Sequence, residues 1–324
     1  MGMTRVTRQR SLRVLAGAAF CLIWCPATAQ RLASPTRVVT ITPPTQGPGW
    51  RVPKWSTNAL LWWRVETSAS ETSDNLHVYD RDGHILFRQR VWIPDASTVQ
   101  IRDAAISNAG TIAIAGVVFA DSGAVAGFWG WLPPGGGTAT IIRTSPFEAT
   151  NIAIGPDLDV WVLGWELGPG RKLNTAAPHS TLRHYDRKGN LLDQHLQWPD
   201  SECSHSHPTQ QLVAAKNRVG VFLPSCRQWL EFAANGELMK TRRLPYLPSD
   251  SDHGWLTSGV VFTDNDDLYI NFRNAIFRLD TDDSQWVSVE PLGWHSAFVG
   301  IVGADGSSLV GMGSPSEISW MPLQ

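Results

Sequence analysis

Four glycines divide the chain at a nearly constant interval: Gly83, Gly136 and Gly189 lie 53 residues apart each time, and Gly236 follows after another 47. Three of them sit in closely similar stretches, Leu76-His-Val-Tyr-Asp-Arg-Asp-Gly83-His-Ile-Leu-Phe87, Leu182-Arg-His-Tyr-Asp-Arg-Lys-Gly189-Asn-Leu-Leu192 and Leu230-Glu-Phe-Ala-Ala-Asn-Gly236-Glu-Leu-Met239. Each reads as two short strands around a turn that needs a residue tolerant of positive φ. A period near 50 residues built of short strands, with no helical periodicity along the chain, is the pattern of a radial array of small sheets. One such unit cannot bury its own apolar faces, so stacking the units in a ring is the expected solution, and the expected fold is an all-β propeller.

Each unit also carries an inner hairpin. Copies are read at residues 101–116, 150–163, 211–223, 259–272 and 297–310, rich in Val, Ile, Ala and aromatics and punctuated by Asn, Asp, Gly and Pro. Pairing inner with outer hairpins gives blades at 58–93, 101–143, 149–197, 209–244 and 257–290, and a sixth from Ser296 that lacks its outermost strand. Residues 317–321 supply one more strand, and 38–41 are placed to pair beside it. The expectation is six four-stranded blades, closed by strands from both ends of the chain, because closure removes edges a sheet must otherwise protect. A seventh blade would need a unit within 30–57, where no inner hairpin is legible.

The stretch Ile152-Ala-Ile-Gly-Pro-Asp-Leu-Asp-Val-Trp-Val162, followed by 182–192, resembles the NHL-type repeat of six-bladed propellers, in which an inner hairpin precedes a strand ending in Asp-x-x-Gly. Here an insertion, 164–181, stands where that repeat has a short Asn-containing link. The likeness extends over most of 76–310. It implies the fold and leaves the activity open.

The amino end carries Arg5, Arg8, Arg10 and Arg13, an apolar run of 12 residues from Val14 to Cys25, and the small-residue exit Ala27-Thr28-Ala29. That order is expected of a secretory signal peptide over 1–29, cleaved before Gln30. The run is short of the roughly 20 apolar residues a spanning helix needs. The remainder is read as a lead-in over 30–54 that contributes a closing strand and one propeller domain over 55–324. Export to the periplasm or beyond, without an integral membrane segment and as a monomer, is the expected setting. Loss of 1–29 leaves a net charge of about −6 and no basic stripe, which excludes nucleic acid as a partner.

Strand order predicts that turns within hairpins lie on one face, and that loops joining hairpins and blades lie on the other. The second set is long and varied: 65–75, 164–180, 198–210, 246–257 and 291–295. Long loops on a rigid scaffold are where binding or catalysis is housed. Cys203 lies in the loop entering the fourth blade and Cys226 in the loop between that blade's hairpins, so both are expected on the long-loop face, and a disulfide is their expected state in an exported protein. The alternative is a metal site of Cys203, His205, His207 and Cys226, although no standard zinc spacing is met. The same loops hold His253 and His295, with Asp200, Glu202, Asp250 and Asp252.

Tryptophan is the compositional outlier, 16 residues against four tyrosines. Trp92, Trp161, Trp229 and Trp286 occupy positions read as strand, suited to filling the wedge between blades. Trp50, Trp55, Trp165, Trp198, Trp255 and Trp294 are read in or beside the long loops. The candidate ligand-binding set is therefore Trp165, His205, His207, His253, Trp255, Trp294 and His295, weighed against the plainer reading that loops collect polar residues and aromatics pack.

Two functional classes follow. The first is a non-catalytic binding module for a small molecule, glycan or peptide, with no cofactor. The second is a metal-dependent propeller enzyme of the lactonase or lyase kind, in which carboxylates and amides at the starts of inner strands converge on a divalent ion. The matching zone holds Asp103, Asn151, Gln210, Gln211, Thr257, Ser258 and Ser296, with one acidic group among them. No nucleophile elbow, phosphate loop, dinucleotide fingerprint or zinc-protease motif is present, and no catalytic residue is assigned.

Overall fold

The computed structural model describes residues 30–32, 34–44, 49–168, 174, 179–198, 211–215, 217–246, 257–272, 275–291 and 300–323. They form six four-stranded antiparallel blades. From the axis outward, blade 1 is Lys54–Ser56, Ala59–Trp63, Leu76–Asp80 and Ile85–Gln89. Blade 2 is Thr98–Ile106, Ile112–Phe119, Val125–Leu132 and Thr140–Arg143. Blade 3 is Phe147–Ile154, Val160–Glu166, His179–Tyr185 and Leu191–Trp198. Blade 4 is Gln211–Ala215, Arg218–Leu223, Gln228–Ala233 and Leu238–Arg243. Blade 5 is Thr257–Phe262, Leu268–Phe272, Ala275–Leu279 and Trp286–Pro291. Blade 6 is Gly300–Asp305, Ser308–Ser314 and Glu317–Pro322, completed by Arg37–Thr40 from the other end of the chain. The inner strands touch their neighbours all the way round.

Two further strands extend the blades. Gln30–Leu32 lies parallel on the outermost strand of blade 5. Glu66–Ser68, from the loop inside blade 1, pairs with residues 98–100 at the inner edge of blade 2. The single 3-10 turn named among the described residues is Pro224–Cys226, between the two hairpins of blade 4. No helix of the described residues is long and apolar enough to cross a membrane.

The core is divided among the blade interfaces. Six apolar clusters each fill the gap between one adjacent pair of blades. A middle strand is therefore buried on both faces, and Ala59–Trp63 reads as a continuous apolar run instead of alternating. Leu61 and Trp63 join the cluster facing blade 2, while Leu60 and Trp62 join the one facing blade 6. Three of the indoles in this core are pinned by carboxylates, whereas the buried indole N–H groups of Trp55, Trp62, Trp63 and Trp129 have no hydrogen-bond partner among the described residues. Asp159 Oδ2 accepts the Trp161 indole N–H at 2.6 Å and lies 2.6 Å from His184 Nε2. Glu231 Oε1 accepts from Trp229 at 2.9 Å and from Arg242 at 3.1 Å, and Asp305 Oδ2 accepts from Trp320 at 3.1 Å and from Arg81 at 2.6 Å.

Two tryptophans sit elsewhere than expected. Trp55, read as part of the long-loop face, is a core residue, 7% exposed and edge-on to Trp320 with 5.2 Å between ring centres. The innermost strand of blade 1 begins at Lys54, and its three residues carry too few alternations to stand out from the lead-in. Trp92, read as strand, lies in the connection between blades 1 and 2, with the Arg90 guanidinium 4.9 Å from its ring centre.

The periodic glycines answer two demands at once. Gly83 has φ of +84°, and a Cβ there would sit 2.6 Å from the Thr40 carbonyl oxygen and 2.8 Å from Val39 Cγ1, on the outermost strand of blade 6. The turn thus rests its backbone on the preceding blade. Gly123 shares the left-handed conformation, at +78°, but faces open space. Gly123→Ala is expected to cost about 1–2 kcal/mol for conformation alone. Gly83→Ala adds the clash and is expected to cost roughly 1–3 kcal/mol more. Urea denaturation of both variants checks this, and equal losses would show that the inter-blade seat contributes nothing.

Burial pushes the Tyr79 and Tyr269 hydroxyls up to about 12. Tyr79 also donates to the Thr42 carbonyl at 2.8 Å. Unfolded tyrosine ionises near 10, so their contribution is fully present below about pH 10 and is lost as pH rises to about 12. Stability measured by urea titration should fall across that window. The double variant Tyr79→Phe/Tyr269→Phe should flatten the fall.

Candidate functional site

The two faces of the ring differ in chemistry because they differ in how their connections are satisfied. On the hairpin-turn face, Asp80 Oδ1 accepts the N–H groups of Asp82 and His84 at 2.8 and 2.9 Å, and Oδ2 lies 3.2 Å from His84 Nδ1. Asp186 repeats this with Lys188 and Asn190, and Asp280 with Ser284. The Asn190 side-chain amide, then its backbone N–H, hold the Asp186 carboxyl below the usual carboxylate range. Asp80, Asp82 and His84 are the one trio of His, Asp or Glu donor atoms among the described residues grouped as closely as metal ligands. Its repetition around the ring identifies it as a turn staple, since the shared carboxylate is consumed by the turn's own donors.

On the opposite face the starts of the inner strands surround the channel mouth. A register shift between Ile101 and Asp103 turns Asp103 toward its neighbours. Its carboxylate is held on both oxygens by the Lys54 ammonium, at 2.7 and 2.8 Å, and Oδ2 also accepts the Ile152 backbone N–H at 2.9 Å. One buried acid therefore ties blades 1, 2 and 3 together. Beside it Arg102 pairs with the buried Glu148 across blades 2 and 3 at 3.2 Å. Further out, Arg183 pairs with Glu166 at 2.7 Å and lies over the Phe147 ring, 4.0 Å from its centre.

The loop inside blade 1 adds a strand to the inner edge of blade 2. Glu66 accepts from Gln100 at 3.1 Å, and Arg64 pairs with Glu71. Asn75, fully buried, fixes the return: its amide donates to Thr67 Oγ1 at 2.9 Å and to the Val91 carbonyl at 3.2 Å, and its oxygen accepts the Val91 N–H at 2.8 Å. At blade 4, Tyr246 is 63% exposed, with the Arg227 guanidinium 3.9 Å from its ring centre.

Of the candidate ligand-binding residues, Trp165 is half-buried near the loop end of Val160–Glu166. His205, His207, His253, Trp255, Trp294, His295 and Cys203 lie outside the described residues. Cys226 sits in the 3-10 turn on this face and has a partner. Lys54, Arg102, Glu148, Asn75 and Tyr246 were missed by the sequence reading. Lys54 offered the one usable signal, a cation beside a short strand opposite the lone inner-strand acid.

No family model and no curated relative matches the chain. Solved structures do. An Agrobacterium tumefaciens calcium-binding protein, regucalcin, matches with a TM-score of 0.54 at 12% identity over 91% of this chain and 97% of the other. A Bacteroides fragilis protein assigned to export matches with a TM-score of 0.56 at 12% identity over 91% and 99%. A streptogramin B lyase matches at 0.45 and 13% over 89% and 98%. The chain is a six-bladed β-propeller. At these identities the likeness, including that to NHL-type propellers, is one of fold.

Removing the Lys54 ammonium leaves the buried Asp103 carboxylate with the Ile152 backbone N–H and no neutralising cation at hydrogen-bond distance. Lys54→Met is expected to destabilise by about 3 kcal/mol. Asp103→Asn, which removes the charge and keeps an acceptor, should cost less. Chemical denaturation of the two variants measures the difference.

Proposed function

We propose that this chain is an exported, non-catalytic binding module that takes a small molecule, glycan or peptide on its long-loop face. The observation that carries the reading is the asymmetry of the two faces. The hairpin turns are short and spend their charged groups on their own backbone and on the neighbouring blade, as Asp80 does in its turn and Arg81 does with Asp305, whereas the loop face carries the longer connections and, beside them, Trp165 and the exposed Tyr246. Export rests on the segment 1–29, and the Cys203–Cys226 disulfide is proposed as the staple of the blade 4 loops. His205, His207, His253, Trp255, Trp294 and His295, which lie outside the described residues, are proposed as further ligand contacts on the strength of the sequence.

A glycan and peptide array probed with the mature protein should return a ligand that Trp165→Ala, Trp255→Ala and Trp294→Ala each weaken at least tenfold. Thermal stability of the loop variants Trp255→Ala and Trp294→Ala should stay within about 1 kcal/mol of wild type. Metal analysis without chelator, with a thiol count after denaturation, separates the two classes. No thiols and no metal supports the stapled binder; two thiols with one equivalent of transition metal supports the Cys203, His205, His207, Cys226 site and the enzyme reading.

A further inference from the structure

We propose that the mature chain begins with pyroglutamate at residue 30, a modification that caps the strand docked on blade 5. The inference rests on the export reading, in which cleavage after Ala27-Thr28-Ala29 frees the α-amine of Gln30. Glutamine is the residue whose side-chain carboxamide lies within ring-closing reach of its own α-amine. The α-nitrogen lone pair forms a bond to Cδ, the Cδ–Nε2 bond breaks, and the departing nitrogen takes up a proton from the α-amine and leaves as ammonia. No oxidant, reductant or second substrate is consumed.

The structure gives this chemistry a consequence. Gln30 is itself a strand residue, in parallel register with Val289 on the outermost strand of blade 5, followed by Arg31 opposite Glu290 and Leu32 opposite Pro291. The strand is three residues long, so removal of one or two residues by an aminopeptidase strips the blade 5 edge. Ring closure leaves the Gln30 carbonyl and one amide N–H in place for pairing. It removes the terminal positive charge and the free amine that aminopeptidases require.

Intact mass and amino-terminal peptide sequencing of the full protein, purified from the compartment that receives it, test the proposal. The expected result is a chain starting at residue 30, lighter by one ammonia, and blocked to stepwise degradation until treated with pyroglutamyl aminopeptidase. An unmodified Gln30 terminus overturns the cyclisation and leaves the export reading standing. A chain that retains the segment 1–29 overturns both, and a start at any other residue overturns the cyclisation alone. In a timed digestion with a broad-specificity aminopeptidase, wild type should retain residues 30–32 while Gln30→Ala loses them. Equal trimming of the two overturns the protective role.

Discussion

The pairing of Arg37–Thr40 with Glu317–Pro322 is the contact on which the rest of the ring depends. It joins segments 284 residues apart, as the Thr36 to Trp320 hydrogen bond records. Loop-closure entropy grows only logarithmically with length, so this separation costs little more than a far shorter one. What closure gains is local and large. It supplies the outer strand of blade 6 and seals the cluster that holds Trp55, Trp62, Tyr79 and Trp320 against water. Polar groups fasten the same seam: Arg37 donates to the Arg81 carbonyl and pairs with Asp82, while Arg81 reaches across to Asp305. An open ring would expose two apolar blade faces together, which makes closure and blade packing a single cooperative event.

Closure also governs what the channel can hold. Inner strands in a six-fold ring approach one another closely: a Cβ on Gly259 would sit 2.3 Å from the Ile301 carbonyl oxygen, and one on Gly303 2.9 Å from that of Trp55. Asp103 is an exception in having a side chain long enough to reach two neighbouring blades, and Lys54 meets it there. An ammonium that bridges both carboxylate oxygens supplies internally the positive charge that such an acid demands. The chemistry available at the mouth therefore comes from groups around its rim, Arg102, Glu148, Arg183 and Glu166.

The architecture was legible because its causes are local and repeated. A turn glycine that needs positive φ and also touches the neighbouring blade cannot drift, so the interval survives even where flanking residues differ. Strands with both faces buried, such as Ala59–Trp63, carry no alternation, yet their apolar length and bounding turns still mark them. Lys54–Ser56 failed to register because three residues in a proline-bearing lead-in have no period to show. The site was less legible for a different reason. Arg102 and Glu148, 46 residues apart, and Lys54 and Asp103, 49 apart, meet only after neighbouring blades stack, and no local pattern encodes that meeting. Trp55 shows the converse: its sequence surroundings resemble a loop, and its burial is decided by blade 6.

The two faces are unequal in their freedom to vary, and this is what directs function to one of them. A hairpin turn such as the one at Gly83 must keep its backbone conformation, its internal hydrogen bonds and its seat on the preceding strand. A connection on the other face has no such triple constraint. The loop inside blade 1 illustrates the result: it departs from its own blade, adds Glu66–Ser68 to the inner edge of blade 2, brings Glu66 to Gln100, and is locked on its return by Asn75. A connection of this class can thus deliver a chosen side chain to the channel mouth while the blades beneath it stay fixed.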